Sequence, residues 1–379
     1  MMKCTLMLAS LAPSALTATL LATEISEAQA QGTSVTCPNS APLHGFLPIL
    51  FRLGVLTKPP IASTILANDT STSIVVRPDP NDQIKCGKVP IKATENIVFA
   101  TPTLANGKSM DLMMDILVPQ PLRKRPVVIY IPGGGFVLAA KESGEDLRTY
   151  VAEAGFVVAS IQYRTTRNEA TYRDGVADAK SAIRYLRANA DRYGIDASKV
   201  AVWGESAGGY LAAMVGLTND TRTFDVGNNL DQRSDVQGVV DKFGPSDTSK
   251  IAADFDAATQ KANYTSDNLI KYIGKAHDAQ VLDPQVATTA ANPLAYIKPS
   301  APPFLLFHGN QDKLVSPSQT LILHNALVAA GVHSTRYVLD GAGHGDMAFM
   351  GDSQSGLPWS TKQIMDLIVD FLKRTQAGT

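Results

Sequence analysis

The chain has 379 residues, of which 45% are apolar and 18% charged, with a formal net charge of -1. That balance describes an ordinary globular protein with a large core, of a length that fits one large α/β domain. It excludes a polyanion partner, since no basic stripe or aromatic–basic interleaving is present, and the chain shows neither internal repeats nor Cys–His metal spacings.

Residues 1–30 differ from the rest. Lys3 is the only charge before Glu24, the stretch 4–22 is rich in Leu, Ala and Thr, and Ala28-Gln29-Ala30 offers a small-x-small cleavage site. This pattern predicts a secretory signal peptide cleaved after Ala30, and hence a periplasmic or extracellular protein. Pro13 and the interspersed Ser and Thr make a poor spanning helix, so stable membrane insertion is not expected. Cys4 falls in the predicted leader. Cys37 and Cys86 remain, and in an exported chain they have one intramolecular pairing, the alternative being two free thiols.

Residues 31–94 are broken repeatedly by proline, from Pro38 and Pro42 to Pro78, Pro80 and Pro90. Apolar stretches at 46–56 and 61–67 still need burial, which predicts an extended arm lying on the main domain. The main domain is expected over 95–379. Asn96 to Thr101 and Met110 to Val118 read as strands around an Asn106-Gly107 turn, an antiparallel pair at a sheet edge. Pro126 to Ile131 is an apolar run too short for a helix, followed by Pro132-Gly133-Gly134-Gly135-Phe136. A helix is predicted over 144–154, a strand over 156–161 and a long amphipathic helix over 172–193, where Val176, Ala179, Ile183, Leu186 and Ala190 share a face.

Lys199 to Trp203 is the next strand and 207–217 the next helix. Strands follow at 236–240, 304–307 and 335–339, and helices at 317–330 and 360–375. Short apolar strands alternating with helices predict a mostly parallel sheet covered on both faces. The span between the strands at 236–240 and 304–307 is longer than a crossover needs. It predicts a small cap insertion, 247–298, with helices near 249–259 and 266–274.

The sharpest motif is Gly204-Glu205-Ser206-Ala207-Gly208, a Gly-x-Ser-x-Gly between a predicted strand and a small-residue helix start. A nucleophile elbow needs that context, because the serine takes a strained backbone conformation and its neighbours must be small. Ser206 is therefore the candidate nucleophile. An acyl-transfer serine needs a base and a group that orients it, in the chain order Ser, acid, His. The strand ending at Phe307 runs into His308-Gly309-Asn310-Gln311-Asp312, and the last strand runs into Asp340-Gly341-Ala342-Gly343-His344-Gly345. Asp312 is the candidate orienter and His344 the candidate base. Asp340 is a weaker rival acid, His308 reads as a packed histidine, and Asp346 as a residue that helps fix the histidine loop. His44, His277, His324 and His333 have no comparable context. Backbone N–H groups of Ala207, Gly134 and Gly135 are the candidate oxyanion donors. Glu205, beside the nucleophile, is left outside the catalytic set.

These motifs resemble the α/β-hydrolase superfamily, and within it the branch related to hormone-sensitive lipase, which also holds bacterial carboxylesterases and feruloyl or acetylxylan esterases. The resemblance runs from about Asn96 to Leu372 and includes Tyr172-Arg173-Asp174-Gly175, Phe243-Gly244-Pro245-Ser246-Asp247, His308-Gly309-Asn310-Gln311-Asp312 and Gly343-His344. It implies an α/β-hydrolase fold, Ser206 as nucleophile, His344 as base, Asp312 as its orienter, and Gly134, Gly135 and Ala207 as oxyanion donors. One departure is visible: the family's His-Gly-Gly-Gly is here Pro132-Gly133-Gly134-Gly135. The implied activity is that of a secreted serine carboxylic-ester hydrolase on short-chain or aromatic-acyl esters, free or attached to a polymer, requiring no metal or organic cofactor. Alternatives within the same chemistry are a long-chain lipase or polyester hydrolase and an amide or peptide hydrolase. A non-catalytic binding protein would predict a broken triad.

Overall fold

A computed structural model describes residues 35–37, 59–273, 290–345 and 356–377. The predicted leader, His44, His277, Asp346 and the 274–289 portion of the predicted cap lie outside the described residues.

Eleven strands are present among these: β1 (Val35–Thr36), β2 (Ile74–Val76), β3 (Lys85–Cys86), β4 (Ile91–Ala100), β5 (Leu112–Pro119), β6 (Arg125–Ile131), β7 (Val157–Ile161), β8 (Ile195–Glu205), β9 (Gly238–Lys242), β10 (Phe304–Gly309) and β11 (Ser334–Leu339). Nine of them form one sheet in the order β2-β11-β10-β9-β8-β6-β7-β5-β4. Every pairing from β7 through β6, β8, β9, β10 and β11 to β2 is parallel, and the β4–β5 and β5–β7 pairings are antiparallel. Among the described residues the α-helices longer than one turn are α1 (Glu145–Glu153), α2 (Tyr172–Ala188), α3 (Ala207–Leu217), α4 (Ala257–Tyr264), α5 (Asp267–Tyr272), α6 (Ser318–Ala329) and α7 (Lys362–Gln376), and a single helical turn, Ala190–Tyr193, follows α2.

The central strands bury both faces, and their alternation sorts side chains between two cores. Val127, Ile129 and Ile131 of β6, with Val200 and Val202 of β8, enter the core beneath α2, α3 and α6. Val128 and Tyr130, with Ala201 and Trp203, enter the opposite core, which Leu147 and Val151 of α1 and Ile364, Ile368 and Leu372 of α7 complete. This is the α/β-hydrolase architecture, a mostly parallel sheet with helices on both faces. Among the described residues no helix is long and apolar enough to cross a membrane.

The segment before β4 meets the main domain at several points. β2 adds a parallel strand to β11 at the sheet edge. Cys37 and Cys86 form a disulfide that ties β1 to β3, and both cysteines are buried. Farther along, Ser63 N and Oγ donate to Asp256 Oδ2 at 3.1 and 2.9 Å, and Ala62 N donates to Lys313 O at 3.0 Å. Ala62 and Ser63 thus lie between Asp256 and the turn that carries Asp312. Asp256 also caps α4 by accepting from Thr259 N at 3.0 Å.

Candidate active site

The elbow forms where β8 ends and α3 begins. Ser206 has φ 55° and ψ -122°, a region that L side chains rarely occupy. Two backbone bonds hold it there: Ser206 N donates to Lys242 O at 2.9 Å and Tyr210 N donates to Ser206 O at 3.1 Å. The turn is tight enough that a Cβ on Gly208 would lie 1.9 Å from the Ile131 carbonyl oxygen. Only glycine allows β6 and the head of α3 to approach so closely.

His344 arrives on the loop after β11 and Asp312 on the turn after β10. Ser206 Oγ lies 2.8 Å from His344 Nε2, and His344 Nδ1 lies 2.7 Å from Asp312 Oδ2. The hydroxyl donates to Nε2 and Nδ1–H donates to the carboxylate. Asp312 is fully buried, which alone would raise its pKa. His344 and His308 outweigh burial and hold the carboxyl well below the usual carboxylate range. Oδ1 accepts from Leu314 N at 2.9 Å and Val315 N at 3.0 Å, so neither oxygen lacks a partner. The ring of Phe243 packs on His344 with centroids 4.6 Å apart, and Trp359 Nε1 donates to Gly343 O at 3.2 Å. Between them they fix the histidine and its loop. Asp340, the rival acid, instead faces Arg77 and Asn310 at the surface.

The glycine loop lies directly against Ser206. A Cβ on Gly133 would sit 3.2 Å from Ser206 Cβ. Gly134 has φ 144°, and a Cβ there would be 2.3 Å from Leu138 O, so the turn requires glycine. The N–H groups of Gly134, Gly135 and Ala207 donate to no acceptor among the described residues. Ala207 is the first residue of α3, whose N-terminal end favours negative charge.

Pro132 stands where the resemblance would place histidine, and Tyr163 supplies the brace. Its buried hydroxyl donates to Pro132 O at 2.9 Å, and burial pushes its pKa up so that it stays protonated. The same segment holds the far side of the loop. Thr165 Oγ1 donates to Val137 O at 3.1 Å and Thr166 N to Phe136 O at 2.9 Å. Arg164 anchors that segment on α2 through Asp178 at 2.8 Å and Asp174 at 2.9 Å. Phe136 stacks on Tyr272 of α5 with centroids 4.0 Å apart, so α5 packs against the end of the glycine loop.

Two more groups support the elbow and were not singled out as site residues from sequence. Lys242 is 1% exposed and donates to Glu205 Oε1 at 2.6 Å, with its Nζ 5.0 Å from the centre of the Trp359 ring. Asp241, fully buried behind the start of α3, accepts from Gly244 N at 2.9 Å, and burial raises its pKa to about 7. Their signal in the sequence is a pair of charges inside an apolar strand, which must find buried partners or neutralise. Among the described residues no group of His, Cys, Asp and Glu forms a metal-binding cluster.

Among curated proteins, the chain is 32% identical to the esterase LipC of Mycobacterium tuberculosis over 59% of this chain and 54% of that one. It is 26% identical to the isoprenylcysteine alpha-carbonyl methylesterase ICME of Arabidopsis thaliana over 61% of this chain and 53% of that one. The chain thus spans about half the length of these curated relatives. Among solved structures, a truncated carbohydrate esterase from gut microbiota superposes with a TM-score of 0.59 at 25% identity, covering 80% of this chain and 100% of that one. Esterase 2 of Thermogutta terrifontis has the same fold, with a TM-score of 0.56 at 24% identity over 76% of this chain and 94% of that one. The BD-FAE family model matches residues 114–327, more than half of the chain, spanning the elements that carry the glycine loop, Ser206 and Asp312. By that match the chain belongs to the BD-FAE family.

Proposed function

We propose that the protein is a serine carboxylic-ester hydrolase acting through Ser206, His344 and Asp312. The observation that carries this reading is the continuous hydrogen-bonded row from Asp312 Oδ2 through His344 to Ser206 Oγ, at 2.7 and 2.8 Å. His344 Nε2 takes the Ser206 proton as Oγ attacks the ester carbonyl carbon. The carbonyl oxygen becomes an oxyanion facing the N–H groups of Gly134, Gly135 and Ala207. The tetrahedral adduct collapses, the alcohol leaves with the proton from His344, and an acyl-serine remains. Water, deprotonated by the same imidazole, attacks the acyl carbon, and the acid departs as Ser206 regains its proton. Asp312 keeps Nδ1–H pointed at itself and stabilises the imidazolium in both halves.

The substrate class is a short-chain or aromatic-acyl ester, small or attached to a polymer. Likeness to LipC and to the gut carbohydrate esterase supports ester hydrolysis. The resemblance to the hormone-sensitive-lipase-like branch rests on motif order, with Pro132 braced by Tyr163 in place of the family histidine. The Cys37–Cys86 disulfide supports a periplasmic or extracellular location, where such bonds persist.

The test is turnover by wild type and Ser206→Ala on p-nitrophenyl acetate, butyrate and palmitate, methyl ferulate and acetylated xylan. The reading expects hydrolysis of acetate, butyrate or ferulate that is lost in the variant. Preference for palmitate would move the assignment to a long-chain lipase. No turnover of any ester by folded protein would overturn it in favour of amides and peptides.

A further inference from the structure

His308 packs behind the acid of the Ser–His–Asp row, and its hydrogen bonds reach farther than packing requires. It sits near the end of β10 and is fully buried, as are Asp312 and Thr320, while Arg336 of β11 is 1% exposed. His308 Nε2 lies 3.0 Å from Asp312 Oδ2 and 3.1 Å from Val315 O, and Nδ1 lies 3.1 Å from Thr320 Oγ1 of α6. Arg336 Nε lies 2.9 Å from the same Thr320 oxygen.

The proton positions in this chain follow from its two ends. Val315 O can only accept, so the nitrogen facing it, Nε2, carries the hydrogen. Arg336 can only donate, so it fills one lone pair of Thr320 Oγ1, and the hydroxyl hydrogen is free to point at Nδ1. The Val315 end selects Nε2–H, directed at Asp312 Oδ2, and in a neutral ring that leaves Nδ1 to accept from the Thr320 hydroxyl. Burial pushes the His308 pKa down, against the pull of Asp312, and the nearby charges of Arg336 and His344 push the same way. His308 is thus a fixed neutral donor.

We propose that His308 is a positioning residue for the reaction: its Nε2–H, set by the Val315 carbonyl and supported by Thr320 at Nδ1, shares Asp312 Oδ2 with His344 and sets how strongly that oxygen holds the imidazolium. The inference rests on the triad reading. Oδ2 accepts two N–H bonds, one from each histidine, whereas Oδ1 is held by the Leu314 and Val315 amides. The His308 bond fixes the carboxylate plane in line with Nδ1 of His344. It also draws charge from Oδ2. Removing it concentrates negative charge on the oxygen that faces His344, which favours the protonated imidazole and raises the pH at which the base becomes free. The groups facing this oxygen are His344 and His308, with Arg336 one hydroxyl beyond.

The experiment is the pH profile of kcat/KM for p-nitrophenyl acetate in wild type, His308→Gln, His308→Leu, Thr320→Val and Ser206→Ala, with circular dichroism to establish folding. His308→Leu should lower kcat about tenfold to hundredfold, with KM nearly unchanged, because the carboxylate loses the bond that fixes its plane toward His344, and that loss of alignment outweighs the stronger pull on the imidazolium. Its acid limb should move up by roughly half to one pH unit. His308→Gln, which keeps an N–H donor at comparable reach, should restore most of the rate and return the limb toward wild type. Thr320→Val should move the limb in the same direction by less, and it decides the matter alone if His308→Leu fails to fold. Folded variants with a wild-type profile, or with lower kcat and an unmoved acid limb, would overturn the positioning role and leave His308 as core packing. Full activity in Ser206→Ala would instead remove the triad reading, and this inference with it.

Discussion

The Tyr163 hydroxyl donates to the Pro132 carbonyl at 2.9 Å, and through that bond the end of β7 fixes the start of the glycine loop beside Ser206. Tyr163→Phe keeps the ring and loses the donor, leaving a buried carbonyl short of a partner. A loop that wanders by a fraction of an ångström still admits substrate but holds the oxyanion less well. The expected result is kcat lower by about tenfold with KM within about twofold, measured by steady-state kinetics on a p-nitrophenyl ester. An equal rise in KM at constant kcat would move the role of Tyr163 to ground-state binding.

The Lys242–Glu205 pair predicts a non-additive response. Lys242 is enclosed by Trp203, Phe243 and Trp359, and Glu205 Oε1 lies 2.6 Å away. Replacing Lys242 with Met leaves the Glu205 carboxylate without its cation and should cost about 3 kcal/mol of stability. Lys242→Met combined with Glu205→Gln removes both charges and should recover a good part of that loss. Urea denaturation of the two single variants and the double variant measures the coupling, and simple additivity would show that the pair is not a unit.

Both Lys242 and Asp241 also explain what the sequence hid. The strand after the elbow reads as 236–240 from its apolar run, whereas β9 spans Gly238–Lys242. Hydropathy stops at the charges, but the strand continues because Glu205 neutralises Lys242 and Asp241 is held in a raised-pKa environment. β2 escaped for a different reason. Ile74, Val75 and Val76 are three residues in a polar, proline-broken stretch, and only register against Tyr337, Val338 and Leu339 makes them a strand. The helix expected over 172–193 is interrupted at Asn189, whose side chain donates back to Tyr185 O at 2.9 Å. The predicted helices near 249–259 and 266–274 fall in the region where α4 and α5 lie at 257–264 and 267–272, beside a short turn at 248–250.

The elbow, in contrast, was legible because its sterics leave so little choice. Gly-x-Ser-x-Gly between strand and helix states the backbone requirement in residue types, and helix α3 begins and ends at the predicted positions. Asp312 and His344 were candidates from their places after two strands, and the structure brings both into one hydrogen-bonded row with Ser206. The roles of Tyr163, Phe243 and Trp359 were not, since an aromatic residue at a strand end looks the same whether it fills a core or braces a loop.

Asp241 makes stability depend on pH. Its folded pKa, about 7, stands above the ordinary carboxylate value, so the folded state holds the proton more tightly than the unfolded chain. The penalty is absent below the unfolded value, grows as pH rises and is complete above about 7. Asp241→Asn should therefore be stabilising at pH 8, by about 1–3 kcal/mol, and nearly neutral at pH 4. Thermal melts of both proteins across that range test this, and a difference independent of pH would refute it.

The Cys37–Cys86 bond closes a 49-residue separation and fastens the arm beneath α1, where Cys86 packs with Ile84 and Leu147. Chain-entropy reasoning gives roughly 4 kcal/mol for a loop of that length. Reduction should lower the melting temperature measurably while Ser206 keeps its bonds to Lys242, Tyr210 and His344, none of which involves the disulfide. An unchanged melting temperature in excess reductant would show that the arm is held by its other contacts.

Ser206 as a nucleophile activated by His344 is the step on which the proposed chemistry depends. It is tested most directly by treating the protein with diisopropyl fluorophosphate and locating the adduct by peptide mass spectrometry. One phosphoryl group per chain is expected, on the peptide carrying Ser206, with loss of esterase activity in proportion and greatly slowed labelling in His344→Ala. Labelling at another residue, or full activity with Ser206 fully modified, would contradict it.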